Sequence, residues 1–332
     1  MNKILKSWLT LTSVLIIGGA SLLSCSLVQQ YSDQGGMGIH LARLPSESYV
    51  WYAKWSPNGE EIALISQKPG ELRGITAIYL YDLKSEEVIQ ISTDAERSST
   101  ASRFYADQFD WAPDATTLAI AGGPAGKPEQ DGVWLMDLES YEMEYLTKGT
   151  SLSWSPVGDR MAIIDTHAYS STITILNIHD QEEHAIREFQ HEGSITFLDV
   201  DWSPRGDNLV ISVPGENAEG YRWDRLYLVK VDGSYFGAIL EDSPWRLYSP
   251  VWLANGKWLA FVADASEGGT VSVAPVTGEC IFAWIPGIKK ADRVDVSPDG
   301  RKALVVSSGR LYIVDLEEAA GSHLLPDQLS CP

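Results

Sequence analysis

Five residues recur six times along this chain, and that repetition limits its fold more than any other feature. Trp55-Ser56-Pro57-Asn58-Gly59 returns as Trp111-Ala112-Pro113-Asp114-Ala115, Trp154-Ser155-Pro156-Val157-Gly158 and Trp202-Ser203-Pro204-Arg205-Gly206. Two copies are eroded: Trp252-Leu253-Ala254-Asn255-Gly256 lacks the proline, and Val296-Ser297-Pro298-Asp299-Gly300 lacks the tryptophan. Proline sets φ for the first corner of a turn, and Asn, Asp and Gly tolerate the tight backbone that closes it. The chain must therefore reverse at six places. Spacings of 56, 43, 48, 50 and 44 residues between copies suit one small β-sheet per repeat.

The segments behind each turn agree. A short apolar run follows every copy, such as Ile62-Ala63-Leu64-Ile65, Met161-Ala162-Ile163-Ile164 or Leu259-Ala260-Phe261-Val262, and reads as a strand buried on both faces. A second run comes next each time, for example Ile78-Tyr79-Leu80-Tyr81 or Leu226-Tyr227-Leu228-Val229. Four antiparallel strands buried on both faces cannot stand alone in water, whereas radial stacking covers each sheet with its neighbours. The predicted fold is all-β: a six-bladed β-propeller of four-stranded antiparallel blades, with Gly38 to Ala42 as the outer strand of the last blade. Leu324-Leu325 is the alternative closing segment. Two stacked β-sandwiches would not require a turn copied six times.

These turns and the strands behind them resemble the WD-like β-propeller repeats of the TolB family, and also the propeller domain of prolyl oligopeptidases, from Val50 to about Leu316. The resemblance implies a β-propeller of WD-like repeats. TolB members carry an α/β domain before the propeller, whereas 30 residues separate Cys25 from Trp55 here. The oligopeptidase likeness stops at the propeller, since the chain has no Gly-x-Ser-x-Gly elbow.

The N-terminus reads as an address. Lys3 and Lys6 precede a mainly apolar stretch from Trp8 to Leu23, and no acidic residue occurs before Asp33. Thr10, Thr12, Ser13, Gly18 and Gly19 leave it short of the roughly 20 apolar residues of a spanning helix. Leu22-Leu23-Ser24-Cys25 resembles the lipobox of bacterial lipoproteins, which implies lipidation at Cys25. The expected organisation is a signal peptide over 1–24, a lipid-anchored tether over 25–37 and the propeller over 38–332. The expected location is extracytoplasmic, with the lipid anchoring the chain to the cell membrane or outer membrane. Cys280 and Cys331, the other two thiols, can pair in an oxidising exterior or remain separate.

The chain carries 25 Lys+Arg against 45 Asp+Glu, a formal net charge of -20. Nucleic acid and anionic lipid surfaces are excluded as partners by repulsion, so membrane contact is through the lipid alone. The repeated turns occupy one face of the disc, and the longer connections fall on the other. There Tyr105, Tyr221, Trp223, Arg225, Trp245, Arg246 and Tyr248 form a candidate ligand-binding set of the residue types enriched at interaction hot spots. The same rings also suit the pinning of long loops.

Asp107, Asp110, Asp199, Asp201, Asp292 and Asp295 stand in or just before the first strands, which line a propeller's channel. Crowded carboxylates hold a hard cation such as Ca²⁺, raise one another's pKa, or stay apart in water. The leading expectation is a non-catalytic binding or scaffolding module of the bacterial envelope, with a protein, peptide or glycan partner and no cofactor. The alternative is a propeller enzyme of lyase, lactonase or cyclotransferase type working at the channel.

Overall fold

A computed structural model describes residues 39–41, 49–67, 76–92, 104–124, 127–190, 198–216, 222–265, 268–285, 287–317 and 326–331. The signal segment, Cys25, the tether and Tyr221 lie outside these residues. Gly36–Pro332 form one compact unit. Among the described residues the regular structure is 24 strands and two single-turn 3-10 helices, Pro128–Gln130 and Pro326–Gln328.

The strands form six four-stranded antiparallel sheets. Strand β1 (Ile39–Leu41) comes first in sequence but belongs to the last sheet. Blade 1 is β2 (Tyr49–Trp55), β3 (Glu61–Gln67), β4 (Thr76–Asp82) and β5 (Val88–Gln90). Blade 2 is β6 (Phe104–Trp111), β7 (Thr117–Pro124), β8 (Gly132–Asp137) and β9 (Met143–Thr147). Blade 3 is β10 (Ser151–Trp154), β11 (Arg160–Thr166), β12 (Ser170–Asn177) and β13 (Glu183–Gln190). Blade 4 is β14 (Asp199–Trp202), β15 (Asn208–Glu216), β16 (Arg222–Lys230) and β17 (Phe236–Ile239). Blade 5 is β18 (Arg246–Trp252), β19 (Trp258–Asp264), β20 (Gly269–Pro275) and β21 (Phe282–Ile285). Blade 6 is β22 (Ala291–Val296), β23 (Lys302–Ser307) and β24 (Arg310–Asp315), completed by β1.

Closure follows the expected segment, because Ile39, His40 and Leu41 pair with Val314, Ile313 and Tyr312. The ring also closes on the inside. Each first strand lies beside the next, from β2 through β6, β10, β14 and β18 to β22, and β22 returns to β2.

The six repeated turns join first to second strands with one geometry. In each, the fifth residue donates its backbone N–H to the carbonyl of the second: Gly59 to Ser56, Ala115 to Ala112, Gly158 to Ser155, Gly206 to Ser203, Gly256 to Leu253 and Gly300 to Ser297, all at 2.8 or 2.9 Å. That fifth residue has positive φ in every copy, from 60° at Ala115 to 82° at Gly158. Glycine suits five of them because it has no Cβ to clash there.

The core lies between blades. Val50, Ile62 and Leu64 of blade 1 pack on Leu304, Val306 and Leu311 of blade 6. The intervening Ala63 and Ile65 pack on Phe109, Leu118 and Ile120 of blade 2. Alternate residues of one strand thus serve two separate interfaces, and the same arrangement repeats around the ring. This is the physical reason that the second strands lack a polar face.

Candidate functional site

The first strands bring the same sequence columns to the axis. Directly before the motif tryptophan, or before Val296 in blade 6, stand Lys54, Asp110, Ser153, Asp201, Val251 and Asp295. Two positions earlier stand Tyr52, Gln108, Ser151, Asp199, Ser249 and Arg293. A period of two places both columns on one side of their strands. Tyr52, Lys54, Gln108, Asp199, Asp201, Ser249 and Arg293 border an axial cavity of about 20 Å³, room for about one water molecule.

The inner column is a carboxylate cluster around one ammonium. Lys54 Nζ lies 2.8 Å from Asp110 Oδ1 and 3.5 Å from Asp201 Oδ1. The other oxygens reach across blade boundaries: Asp110 Oδ2 accepts from Trp154 N at 2.8 Å, Asp201 Oδ2 from Trp252 N at 2.7 Å and Asp295 Oδ2 from Trp55 N at 2.7 Å. Acids of blades 2, 4 and 6 therefore clamp blades 3, 5 and 1. Burial pulls the lysine down, but Asp110, then Tyr52, Asp201 and Asp295, outweigh it and hold the ammonium well above its ordinary range. Burial pushes Asp201 up to about 6 and Asp295 up to about 7, with Lys54 opposing in both cases.

The second column adds a belt above that cluster. Arg293 pairs with Asp199, and its guanidinium lies 5.5 Å from the centre of the Tyr52 ring. Asp199 Oδ2 accepts from Ser249 N at 3.0 Å, and Ser249 Oγ accepts from Val294 N at 3.2 Å. Burial raises the Tyr52 phenol to about 12. Lys54 supplies the positive charge that Asp110 and Asp201 meet at the axis. Among the described residues no group of three or more His, Cys, Asp or Glu is arranged to hold a metal ion.

Above the belt the channel widens into a mouth on the long-loop face. Its geometry comes from β-bulges. Pairing shifts by one residue between Val50 and Tyr52, between Ala106 and Gln108, and between Ala291 and Arg293. Bulges re-aim side chains, and the extra residues are Trp51, Asp107 and Asp292. All three line a recess of about 290 Å³ with Tyr49, Val50, Tyr248, Arg293 and Val306. Blades 3 and 4 begin their first strands later, at Ser151 and Asp199, and among the described residues none of theirs lines it.

Tyr49 and Trp51 meet edge to face at 6.5 Å yet remain 51% and 44% exposed, unusual for large rings with a full core nearby. Asp292 Oδ2 accepts from Ser308 N at 2.9 Å. Burial and then Asp131 push Asp107 up to about 6. Tyr248 donates to the Ala291 carbonyl at 3.3 Å.

The six aspartates named from sequence thus divide into four along the axis, Asp110, Asp199, Asp201 and Asp295, and two at the mouth, Asp107 and Asp292. The aromatic and basic set divides too. Tyr248 lines the recess. Trp223 lies against Gly215 on the paired strand, Arg225 Nη1 donates to the Trp245 carbonyl at 3.1 Å, and Arg246 Nε meets Asp224 Oδ2 at 2.6 Å. Trp245 packs on the core between blades 4 and 5. Trp223 thus packs within the β15–β16 hairpin, while Arg225 and Arg246 tie β16 to the start of blade 5. Burial, and then the neighbouring Asp131, raises the Tyr105 phenol. Sequence reasoning passed over Lys54, Arg293, Tyr49 and Trp51. Aligning the six repeats on the motif tryptophan and reading the columns before it would have found Lys54 and Arg293. Cys280 and Cys331 are joined in a disulfide, with Cα atoms 5.9 Å apart.

No known protein-family profile and no curated protein matches this chain. Solved structures do. TolB from Agrobacterium tumefaciens aligns with a TM-score of 0.59 at 17% identity, over 85% of this chain and 99% of that one. TolB from Acinetobacter baumannii aligns with a TM-score of 0.57 at 14% identity over 79% of this chain, which spans only 65% of the Acinetobacter protein's length. Hydrazine synthase from Kuenenia stuttgartiensis aligns with a TM-score of 0.55 at 14% identity, over 86% of this chain and 85% of that one. At such identities the likeness speaks to architecture alone: this chain shares its fold with TolB-type β-propeller proteins.

Proposed function

We propose that this chain is an exported, lipid-anchored propeller whose axial mouth binds a partner in the bacterial envelope, a protein, peptide or glycan, without transforming it. The observation that supports this most is the recess of about 290 Å³ in which exposed Tyr49 and Trp51 stand beside Asp107, Tyr248 and Asp292. Rings of this kind give large contact area at small conformational cost, and the mouth is built on first strands rather than on loose loops. Beneath it the ion-paired axis fixes the strands that present it. The N-terminal tether from Cys25 would keep the disc within reach of a membrane.

The fold does not choose between binder and enzyme, since an architecture says little about chemistry and one structural neighbour is hydrazine synthase. One feature favours the enzyme alternative: Asp107 is held at about 6 beside an open recess, a range suited to proton transfer near neutrality. Site-specific photocrosslinking in living cells tests whether the mouth binds a partner. A crosslinker at position 51 should capture a defined envelope partner, and one at Val157, exposed on the opposite turn face, should not. Equal capture from both positions, or none from position 51, would defeat the binding reading. Fatty-acid labelling that survives Cys25→Ala would defeat the anchor.

A further inference from the structure

We infer that the mouth recess recognises a primary ammonium group, as carried by a lysine side chain or an amino sugar, held between the carboxylates of Asp107 and Asp292 and the rings of Tyr49, Trp51 and Tyr248. This rests on the binding reading above and gives its ligand a chemistry. The charge arrangement carries the argument. Among the described residues, Arg293 lines the recess and Arg246 lies 5.7 Å from the centre of the Tyr248 ring, and both are engaged elsewhere: Arg293 pairs with Asp199, and Arg246 is held at 2.6 Å by Asp224. Among the described residues neither Asp107 nor Asp292 has a cationic partner. Asp292 takes a backbone hydrogen bond from Ser308, and the charged neighbour acting on Asp107 is another acid, Asp131. Among the described residues the recess thus presents two carboxylates with no ion-pair partner of their own.

Shape and rings narrow the class further. An anionic ligand would meet repulsion, and a neutral one would strip water from the carboxylates without replacing it by an ion pair. An ammonium supplies three donors to the carboxylates, and its charge is attracted to nearby aromatic faces. About 290 Å³ lies at the small end of ligand sites, fitting one long side chain or one sugar ring rather than a whole folded surface.

The test is calorimetric titration of the full protein at pH 7.5 and low salt. The probes are Nα-acetyl-lysine methylamide and glucosamine, each set against an uncharged counterpart, Nα-acetyl-norleucine methylamide and N-acetylglucosamine. One charged probe should bind at least about tenfold more tightly than its counterpart, as expected for a charge-assisted hydrogen bond. Which one does so assigns the peptide or the sugar source. Asp107→Asn with Asp292→Asn, and separately Trp51→Ala, should weaken that probe by about tenfold or more with unchanged circular dichroism. Asp292→Asn alone, at an exposed position, serves if the double variant fails to fold. Equal affinity for charged and uncharged probes, no binding of either charged probe at millimolar concentration, or full affinity in the carboxamide variants would overturn the assignment. A partner still captured from position 51 when no ammonium probe binds would remove this inference and leave the binding reading in place.

Discussion

Removing the Lys54 ammonium would leave Asp110, Asp201 and Asp295 without the cation that their charges now surround. Truncating one member of a buried ion pair typically costs about 3–5 kcal/mol, because the partner charge stays desolvated. Lys54→Met should therefore destabilise by about 3 kcal/mol at pH 7.5, and by clearly less near pH 5, where the raised carboxylates take up protons. Urea unfolding at the two pH values checks this; an equal loss at both would show that the carboxylates do not respond as a cluster. A second prediction follows from the same residues. In the native protein Asp295 titrates at about 7 and Asp201 at about 6, against an unfolded value of about 3.9. The native state thus binds protons that the unfolded state has released, so these groups make stability fall as pH rises from about 4 to 7, by at most about 1.4 kcal/mol per pH unit each. Asp82, Asp137 and Asp232 act oppositely: hydrogen bonds from Ser85, Ser140 and Ser234 lower them, so the stability they add is lost as pH falls through their folded values. Maximum stability is expected in mildly acidic solution, and Asp295→Asn should flatten the decline towards pH 7.5. Stability that rises steadily from pH 5 to 7.5 in the parent protein would contradict it.

A β-bulge decides what the first strands of blades 1, 2 and 6 show to the mouth, and Gly122 permits one of them. It pairs with Ala106 directly before the Asp107 bulge, and a Cβ there would run into the carbonyl of Tyr105 and the backbone of Ala106. Gly122→Ala should cost about 1–3 kcal/mol, as overpacking does, and should weaken ammonium binding by displacing Asp107. Gly256→Ala is the control. It has open space but φ of 63°, so it should cost about 1 kcal/mol and leave the mouth alone. Ala115 already holds the equivalent position at φ 60°. Thermal melts and probe titration of both variants would separate the effects, and an unchanged Gly122→Ala protein would show that the bulge is not constrained from that side. The same contrast explains what could be read from sequence. The six turns were legible because their hydrogen bonds span three residues, and β1 was legible from its alternation. The axial acids were visible as a column before the tryptophans. Their partners were not, because Lys54 meets acids 56 and 147 positions away and Asp295 clamps a backbone 240 positions away. Trp51 was hidden differently: one inserted residue shifts the period of two, so a side chain that alternation assigns to one side emerges at the mouth.

A ring that closes on itself is only as secure as the place where its ends meet, and here both ends are tied near blades 5 and 6. At the start, β1 adds three backbone pairs to the outer edge of blade 6. At the finish, Pro326 lies against the blade 6 turn at Gly300, Asn255 Nδ2 donates to the Pro326 carbonyl at 2.8 Å, and Cys331 is bonded to Cys280 before β21 of blade 5. The disulfide spans 51 residues that include the whole of β22, β23 and β24, so it restrains a full blade against its neighbour. Loop-closure reasoning gives a crosslink of this span about 4 kcal/mol, acting mainly by limiting the unfolded chain. Reduction, or Cys280→Ser with Cys331→Ser, should therefore lower the melting temperature by several degrees while leaving the Lys54 cluster and the mouth, built from other residues, able to bind the ammonium probe. The expected signature is a lower melting temperature with unchanged affinity. If reduction left the melting temperature unchanged, the tail would be ornamental and closure would rest on β1 and the blade 6 to blade 1 core; if affinity fell as well, the mouth would depend on closure at a distance. A latch of this kind also forms best outside a reducing cytosol, which ties the stability of the disc to the compartment proposed for it.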